Sequence, residues 1–346
     1  MSSVDKVLDE ILEKAAPGFC HAIVTSSGPV HERIDGYRRV LPDIKPMDRD
    51  TYFDMASISK ILGPTMLALV MHRDGKLGLD ERIGSFFPNA GAYKDMTIMN
   101  LATHTAGFRP DAPLWTMGIP NRQVFETILD ASPSYVPGKG YEYSCLGYII
   151  MAHMLELVLD KSLQEACSTL FWNEIGMTHT TYTPPKDARF AATELKEGSD
   201  DECYEGIIHD ENARFMMPMQ SGNAGVFSTL EDMEVFCSFI LSELKRPSFF
   251  THEETYLMSH DLTPKMQTSR AFGFMLGRRG FESLAGHYCS PDSFGHTGFT
   301  GTSIWIDPKK DRAAVLLTNR VHPSRTNTNL LSMRGTYHDA VFGGES

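Results

Sequence analysis

Ser57 and Lys60 lie three residues apart in the stretch DMASISKILGP, residues 54–64. On a helix this spacing places both side chains on one face. A serine attacks a carbonyl only when a base lies within hydrogen-bond reach, and burial or neighbouring positive charge can lower the pKa of a lysine enough to make it that base. A serine at a helix N-terminus also meets the positive end of the helix dipole, which favours developing anionic charge. The pair therefore predicts an acyl-transfer nucleophile with its own base.

The Ser-x-x-Lys pattern is common and also begins at Ser3 and Ser242. Ser3 lies in a terminal segment that is expected to fray, and Ser242 lies near the end of a predicted helix. Only Ser57 opens an apolar helix that would be buried. The alternative for Ser57 is a helix N-cap, a position that favours serine in any case, and the four residues alone favour that alternative.

Two later stretches change the interpretation. PGKGYEYSCLGY, residues 137–148, places Tyr143 before an apolar helix, and FGHTGFTGTSIWIDP, residues 294–308, places His296, Thr297 and Gly298 at the expected start of a strand. A glycine there leaves room for a substrate to run along the strand edge. Each stretch alone is weak, because a tyrosine beside a serine is common and His-Thr-Gly can be a plain turn.

In this order, the three motifs resemble those of the penicillin-recognising serine hydrolases, and most closely the class C β-lactamase-like group, which includes family VIII-like esterases and D-amino-acid peptidases. That group carries Ser-x-x-Lys at a helix start, then Tyr-x-Asn or Tyr-Ser-Asp, then Lys/His-Thr-Gly on a strand; a related set occurs in class A enzymes. The phrases GIIHDENA, GNAGVFS and LTNRVHP, which begin at residues 206, 222 and 317, are also similar to this group. The resemblance extends from about residue 30 to 341.

The resemblance implies a role for each matching position. Ser57 would be acylated, Lys60 and Tyr143 would share its proton, and the backbone N–H groups of Ser57 and Phe299 would form the oxyanion hole. It implies neither a cofactor nor a metal. The positions expected to contact substrate are His296, Thr297, Gly298, Cys145, Trp115 and Asn223.

Two residues depart from the family pattern. Cys145 stands where the group has Asn or Asp, and a thiol is a weak donor and acceptor, which argues against efficient amide recognition and deacylation; a redox or nucleophilic role is the alternative to simple packing. His296 in place of Lys removes a permanent positive charge at neutral pH, which argues against a true β-lactamase. Trp115 is either a cleft wall or a surface anchor.

His209, Asp210 and Glu211 could suggest a metal site. Adjacent residues do not converge on an ion as helix-spaced ligands do, and the sequence has no H-E-x-x-H motif. We therefore favour a hydrogen-bonded loop near the cleft over a ligand set.

Periodicity indicates how these residues are positioned. Strand patterns lie at both ends of the chain and helical patterns in the middle, which predicts an α/β (α+β) fold of the β-lactamase/transpeptidase type: one antiparallel sheet, built from both termini and flanked by helices, with an inserted helical domain. We predict residues 1–86 and 225–346 as the sheet domain, 87–224 as the insertion, and the active site between them. Predicted strands cover 21–27, 29–39, 272–276, 302–307 and 313–318; predicted helices cover 57–73, 97–103, 122–131, 146–159, 162–174 and 329–341.

Composition limits the possible partners. The 346 residues carry 32 Lys and Arg against 44 Asp and Glu, a formal charge of −12, and no basic block is present, so neither nucleic acid nor an anionic membrane is an expected partner. Residues 1–14 read as an amphipathic helix rather than a signal peptide, and six scattered cysteines without a C-x-x-C pair read as reduced thiols. We therefore predict a cytoplasmic protein; the oligomeric state is not predicted.

Three functions follow from these residues. The favoured one is a serine hydrolase of small carboxylic esters. The second is an amidase or D-amino-acid peptidase, or a weak β-lactamase, with the same nucleophile but a leaving group that must be protonated. The third, supported only by Cys145, is a binding protein that kept the pocket and lost efficient chemistry.

Overall fold

The computed structural model describes residues 3–343 and contains one large antiparallel sheet. Its seven strands run in the order β3-β2-β1-β9-β8-β7-β6, and a separate pair joins β4 to β5. The strands are β1 Gly18–Thr25, β2 Gly28–Arg39, β3 Lys45–Pro46, β4 Phe53–Asp54, β5 Phe227–Ser228, β6 Met275–Leu276, β7 Phe294–Thr297, β8 Ser303–Asp307 and β9 Arg312–Thr318.

The sheet is assembled from both ends of the chain, as predicted. Its centre is the pairing of β1 with β9, in which Phe19 lies opposite Thr318 and Val24 opposite Ala313. Between these sheet strands the chain is mainly helical, apart from the β4–β5 pair. The fold is therefore mixed α/β, as predicted, while the domain boundaries near 86 and 224 stay a prediction.

Both faces of the sheet are covered, and strand alternation explains how. In β9, Ala313, Val315 and Leu317 belong to the core on one face, whereas Ala314 and Leu316 belong to the core on the other. This period of two is the pattern of a strand between two layers. The terminal helices Ser3–Lys14 and Asn329–Gly343 cover the second face, and the helix Leu230–Lys245 packs on the first.

The helices confirm most of the predicted segments, with shifted ends. They are α1 Ser3–Lys14, α2 Met66–Arg73, α3 Ile83–Phe86, α4 Ile98–Ala102, α5 Val124–Asp130, α6 Cys145–Leu159, α7 Leu163–Cys167, α8 Asn173–Ile175, α9 Glu211–Met216, α10 Leu230–Lys245, α11 His252–Ser259, α12 Glu282–Ala285 and α13 Asn329–Gly343. Within residues 3–343, no helix has both the length and the apolar character needed to cross a membrane. All six cysteines are free thiols.

Candidate active site

Ser57 follows a turn that is held in an unusual backbone conformation. Ala56 has a φ of 47°, in the left-handed region that residues with a side chain seldom adopt. The buried carboxylate of Asp54 accepts a hydrogen bond from the Ala56 N–H at 2.8 Å and another from the His209 N–H at 2.7 Å. Such a conformation costs on the order of 1–3 kcal/mol and persists only where the surroundings fix it. The turn therefore presents Ser57 in a fixed position.

The segment after the turn is not the single regular helix that the sequence predicted. A 3-10 turn, Ala56–Ile58, leads into a π-helical stretch, Ile61–Thr65, and only then into α2. The π-helical stretch contains Pro64, which lacks the N–H that a regular helix would need there. Ser57 does not cap a helix; its Oγ accepts a hydrogen bond from Lys60 instead.

Lys60 is fully buried and uses all three of its ammonium protons. Its Nζ lies 2.8 Å from the carbonyl oxygen of Asn223, 3.2 Å from Ser57 Oγ and 3.5 Å from Cys145 Sγ. A lysine ammonium has three donors and no acceptor, so this environment suits the charged form.

The expected low pKa of Lys60 is wrong. Burial acts to lower the pKa, but its neighbours Cys145, Tyr143 and Asp210 favour the ammonium, and the pKa is raised. The sequence prediction assumed that burial and neighbouring positive charge would lower this pKa, but the acidic neighbours of Lys60 outweigh the effect of burial. The resting enzyme therefore holds Lys60 protonated, and a proton must leave the Lys60–Tyr143 pair before either group can accept one from Ser57.

Tyr143 completes this cluster. Lys60 Nζ lies 5.0 Å from the centre of the Tyr143 ring, and the ring packs 4.6 Å from that of His104 and 6.0 Å from that of His296. Burial raises the pKa of the Tyr143 phenol, while Lys60 and a hydrogen bond with Ser57 favour ionisation. The neutral phenol is thus the resting form.

These two pKa shifts predict an alkaline pH dependence. Because both pKa values are raised and the base form has lost a proton, kcat/KM should increase from pH 6 through pH 9 and level off only above that range. The measurement is kcat/KM for an activated ester between pH 5 and 10, corrected for spontaneous hydrolysis. A profile that is already flat above pH 6 would contradict the assignment of the Lys60–Tyr143 pair as the base.

The His-Thr-Gly motif lies at the end of β7, not at the start of a strand as predicted. Gly298 begins the turn to β8, and its N–H donates to the carbonyl of Thr302 at 2.7 Å. A Cβ on Gly298 would lie 2.6 Å from the Met55 carbonyl oxygen and 2.1 Å from Thr302 Oγ1. Only glycine therefore lets this turn lie so close to Met55, in the turn that precedes Ser57.

Phe299 follows in the same turn and, like Ser57, lines two cavities. Its amide donates no hydrogen bond to any residue between 3 and 343, as an oxyanion-hole donor requires. The ring is about half exposed and packs against His209, Arg320 and Arg325.

The first cavity has more polar side chains in its lining than the second, and the two are called the polar cavity and the apolar cavity. The polar cavity has a volume of about 260 Å³ and is lined by Ala56, Ser57, Asp111, Tyr143, Cys145, His209, Asp210, Glu211, Ala224, Phe299 and Arg325. The apolar cavity has a volume of about 280 Å³ and is lined by Ser57, Tyr141, Tyr143, Met275, Phe281, Thr297, Gly298, Phe299, Arg320, Leu331 and Arg334. Two larger cavities, about 370 Å³ each, contain none of the motif residues. The reactive side chains, and not the cavity volume, therefore identify the candidate active site.

The remaining predicted substrate contacts divide between these cavities and the interior. Cys145 begins α6 and lines the polar cavity, and Thr297 lines the apolar one. His296 is fully buried, with Nδ1 bound to the Thr297 carbonyl at 2.9 Å, and lines neither cavity. Asn223 reaches Lys60 through its main-chain carbonyl. Trp115 is half exposed and also lines neither cavity.

Two arginines in the apolar cavity were missed by sequence reasoning. Arg320 and Arg334 are almost fully buried, and neither forms an ion pair within residues 3–343. Each donates from one Nη to a main-chain carbonyl at 2.9 Å, Arg320 to Asn327 and Arg334 to Gly298, and each Nε has no hydrogen-bond partner. Burial and the nearby Arg320 lower the pKa of Arg334 to about 10, so it stays charged at neutral pH. Arg320 lies in the LTNRVHP phrase, which offered a signal; Arg334 on α13 offered none.

The loop around His209 forms a hydrogen-bonded network, as predicted. His209 Nε2 lies 2.8 Å from Glu194 Oε2, and Arg325 binds both Glu194 and Glu211. No group of three His, Cys, Asp or Glu side chains in the described part of the chain is arranged to hold a metal ion.

Comparison with known proteins identifies the family. The family model described as Beta-lactamase matches residues 4–334. An N-acetylmuramyl-L-alanine amidase of Bacillus subtilis is 24% identical over 365 aligned positions, which cover 93% of this chain and 81% of the relative.

Two solved structures share the fold. EstCE1, described as a hydrolase with promiscuous acyltransferase activity, superposes with a TM-score of 0.79 at 19% identity and covers 99% of this chain and 98% of its own. A class C beta lactamase from Rhodobacter sphaeroides gives a TM-score of 0.76 at 19% identity with the same coverage. The chain thus belongs to the beta-lactamase family of serine hydrolases, whose members include esterases, amidases and β-lactamases.

Proposed function

We propose that this enzyme hydrolyses small carboxylic esters through an acyl-enzyme on Ser57. The observation that carries the proposal is the contact of Lys60 with both Ser57 Oγ and Cys145 Sγ. The nucleophile has its proton-transfer partners, but a thiol occupies the place of an amide-binding side chain. Hydrolysis of an ester needs less assistance from the site than hydrolysis of an amide, because an alkoxide is a better leaving group than an unprotonated amide nitrogen.

The site supports a simple first half-reaction. Once the Lys60–Tyr143 pair has lost a proton, it accepts the proton of Ser57 as Oγ attacks the ester carbonyl. The N–H groups of Ser57 and Phe299 stabilise the oxyanion. The pair then gives its proton to the departing alkoxide, and the acyl group stays on Ser57.

The apolar cavity suggests the size and polarity of the group that is bound. Its volume of about 280 Å³ and its Met275, Phe281 and Leu331 side chains suit a short apolar chain rather than a large polar one. A butyrate or similar acyl ester fits this description.

A second candidate is an amide or peptide substrate with a free carboxylate. Arg320 and Arg334 line the apolar cavity without a carboxylate partner in the described chain, although each donates from one Nη to a main-chain carbonyl. A guanidinium is suited to bidentate carboxylate binding. The two arginines supply the charge whose loss at His296 argued against such substrates. The amidase relative is consistent with this candidate.

A substrate panel separates the candidates. We expect turnover of p-nitrophenyl acetate and butyrate at least ten times faster than that of nitrocefin or D-alanyl p-nitroanilide, with Ser57→Ala as the background for each substrate. Faster turnover of either amide-type substrate would favour the second candidate. Equal ester rates in wild type and Ser57→Ala would contradict both.

The free thiols also bear on where the enzyme acts. All six cysteines are unpaired, and we propose a reducing compartment, the cytoplasm, as the site of this activity.

A further inference from the structure

We propose that His209, oriented by Glu194, is the general base that activates the water that hydrolyses the acyl-enzyme. This inference rests on the proposed function, because it assigns the base for the second half of that reaction. It gives a chemical role to a loop that the first half-reaction does not use.

The hydrogen bonds of His209 leave one ring nitrogen available. Nε2 lies 2.8 Å from Glu194 Oε2 and 3.5 Å from Arg325 Nη2. The shorter contact, to a carboxylate, favours the tautomer in which Nε2–H donates to Glu194. Nδ1 is then an acceptor, and it is neither bonded to a residue within 3–343 nor sealed from solvent.

Glu194 is suited to orient the ring. Burial acts to raise its pKa, but hydrogen bonds from the Arg325 main chain and from the His209 and Arg325 side chains hold the pKa below its usual value. Glu194 therefore carries a full negative charge at neutral pH, and this charge stabilises the imidazolium that forms when Nδ1 accepts a proton.

The position of His209 links it to the reacting groups. It lines the polar cavity together with Ser57 and Phe299. The main-chain N–H of His209 donates to the Asp54 carboxylate, which also accepts from the Ala56 N–H. The His209 ring stacks on that of Phe299, with the ring centres 5.6 Å apart. His209 therefore contacts both the turn that precedes Ser57 and the ring of Phe299.

The other groups near Ser57 are poorly suited to this step. In deacylation the Lys60–Tyr143 pair, which contacts Ser57 Oγ through Lys60, is the acid that protonates Oγ, and the Cys145 thiol is a weak acceptor. His209 lines the same cavity, has a ring nitrogen without a partner in the described chain and is paired with a carboxylate, which is the arrangement of a general base.

The step balances as follows. The water oxygen bonds to the acyl carbonyl carbon while His209 Nδ1 accepts one water proton. The Lys60–Tyr143 pair regains a proton from solvent after the alcohol leaves. The tetrahedral oxyanion then collapses, the bond from carbon to Ser57 Oγ breaks, and Oγ takes that proton from the pair. The carboxylic acid leaves, and proton exchange with solvent returns His209 and the pair to their resting forms.

The test separates acylation from deacylation. With p-nitrophenyl butyrate, His209→Ala should keep a rapid burst of about one p-nitrophenolate per enzyme, while steady-state kcat falls about 10²- to 10⁴-fold. Intact-mass spectrometry should then show butyryl-enzyme on Ser57, and added imidazole should restore part of the turnover. Glu194→Gln should slow deacylation alone by a smaller factor.

Two further variants distinguish the chemistry from a packing effect. His209→Phe keeps an aromatic ring against Phe299 and should accumulate acyl-enzyme as His209→Ala does. His287→Ala removes an exposed histidine from its pairing with Asp339, outside both cavities, and should behave as wild type.

Specific outcomes would overturn the inference. These are wild-type turnover in His209→Phe, or an equal loss of burst rate and steady-state rate without acyl-enzyme in His209→Ala. Either result would leave the proposed function intact if wild type still forms acyl-Ser57. Absence of any Ser57 adduct in wild type would instead refute the proposed function itself.

Discussion

Changing Ser57 to Ala should lower kcat/KM for p-nitrophenyl butyrate by at least about 10⁴-fold. The variant lacks the oxygen that Lys60 contacts, and removing a serine nucleophile typically leaves only residual rate enhancement from binding and oxyanion contacts. Intact-mass spectrometry after treatment with a fluorophosphonate should show one adduct on wild type and none on Ser57→Ala.

The chain supplies its own control for this prediction. Ser242 opens another Ser-x-x-Lys tetrapeptide, but it lies on α10, where its hydroxyl donates to the Ser26 carbonyl at 3.0 Å. Ser242→Ala should keep both turnover and the adduct. An adduct that persists on Ser57→Ala would place the nucleophile elsewhere; a wild type with neither adduct nor turnover would indicate a binding protein.

Changing Lys60 to Met should lower kcat/KM about 10²- to 10⁴-fold, the usual contribution of a general acid–base group. The free energy of unfolding should change little, because the raised pKa means that the contacts of the Lys60 ammonium offset the cost of burying its charge. A methionine fills a similar volume without that cost. Steady-state kinetics and urea unfolding measure the two effects.

Lys245→Met is the matched comparison, since Lys245 bonds to Ser26 and Asp311 at the surface. It should leave kcat/KM unchanged. Full activity in Lys60→Met would assign the base to Tyr143 alone, whereas a large fall in its unfolding midpoint would show that Lys60 mainly supports the fold.

The strands near the C-terminus were predictable because their signal is local. Alternation within 302–307 and 313–318 matches β8 and β9 to within one residue. Each residue of these strands faces one of two apolar layers, so the strands can be recognised from the apolar residues of these short segments alone.

Strand ends were less predictable because they depend on the partner strand. β6 is only Met275–Leu276, shorter than the predicted 272–276, and β7 ends at Thr297. The motif was recognised, but its place at the end of a strand depends on the turn at Gly298 and its contact with Met55, which is far away in sequence.

Charge at the site was the least predictable property. Spacing placed Lys60 beside Ser57, but its pKa depends on Cys145, Tyr143 and Asp210 from other segments. Arg320 and Arg334 also reach the cavity from the C-terminal part of the chain. No pattern within a short segment of sequence indicates which side chains from distant segments come into contact.

The strained turn at Ala56 has a further consequence for how the active enzyme is made. Thr300 and Thr302 donate hydrogen bonds to the carbonyls of Asp54 and Met55, across 246 and 247 residues of sequence. Contacts of such long range close late in folding, because a long loop must be ordered before they form. A nascent chain would therefore contain Ser57 and Lys60 long before it could react, and catalytic competence would arise only after the last strands are synthesised and docked.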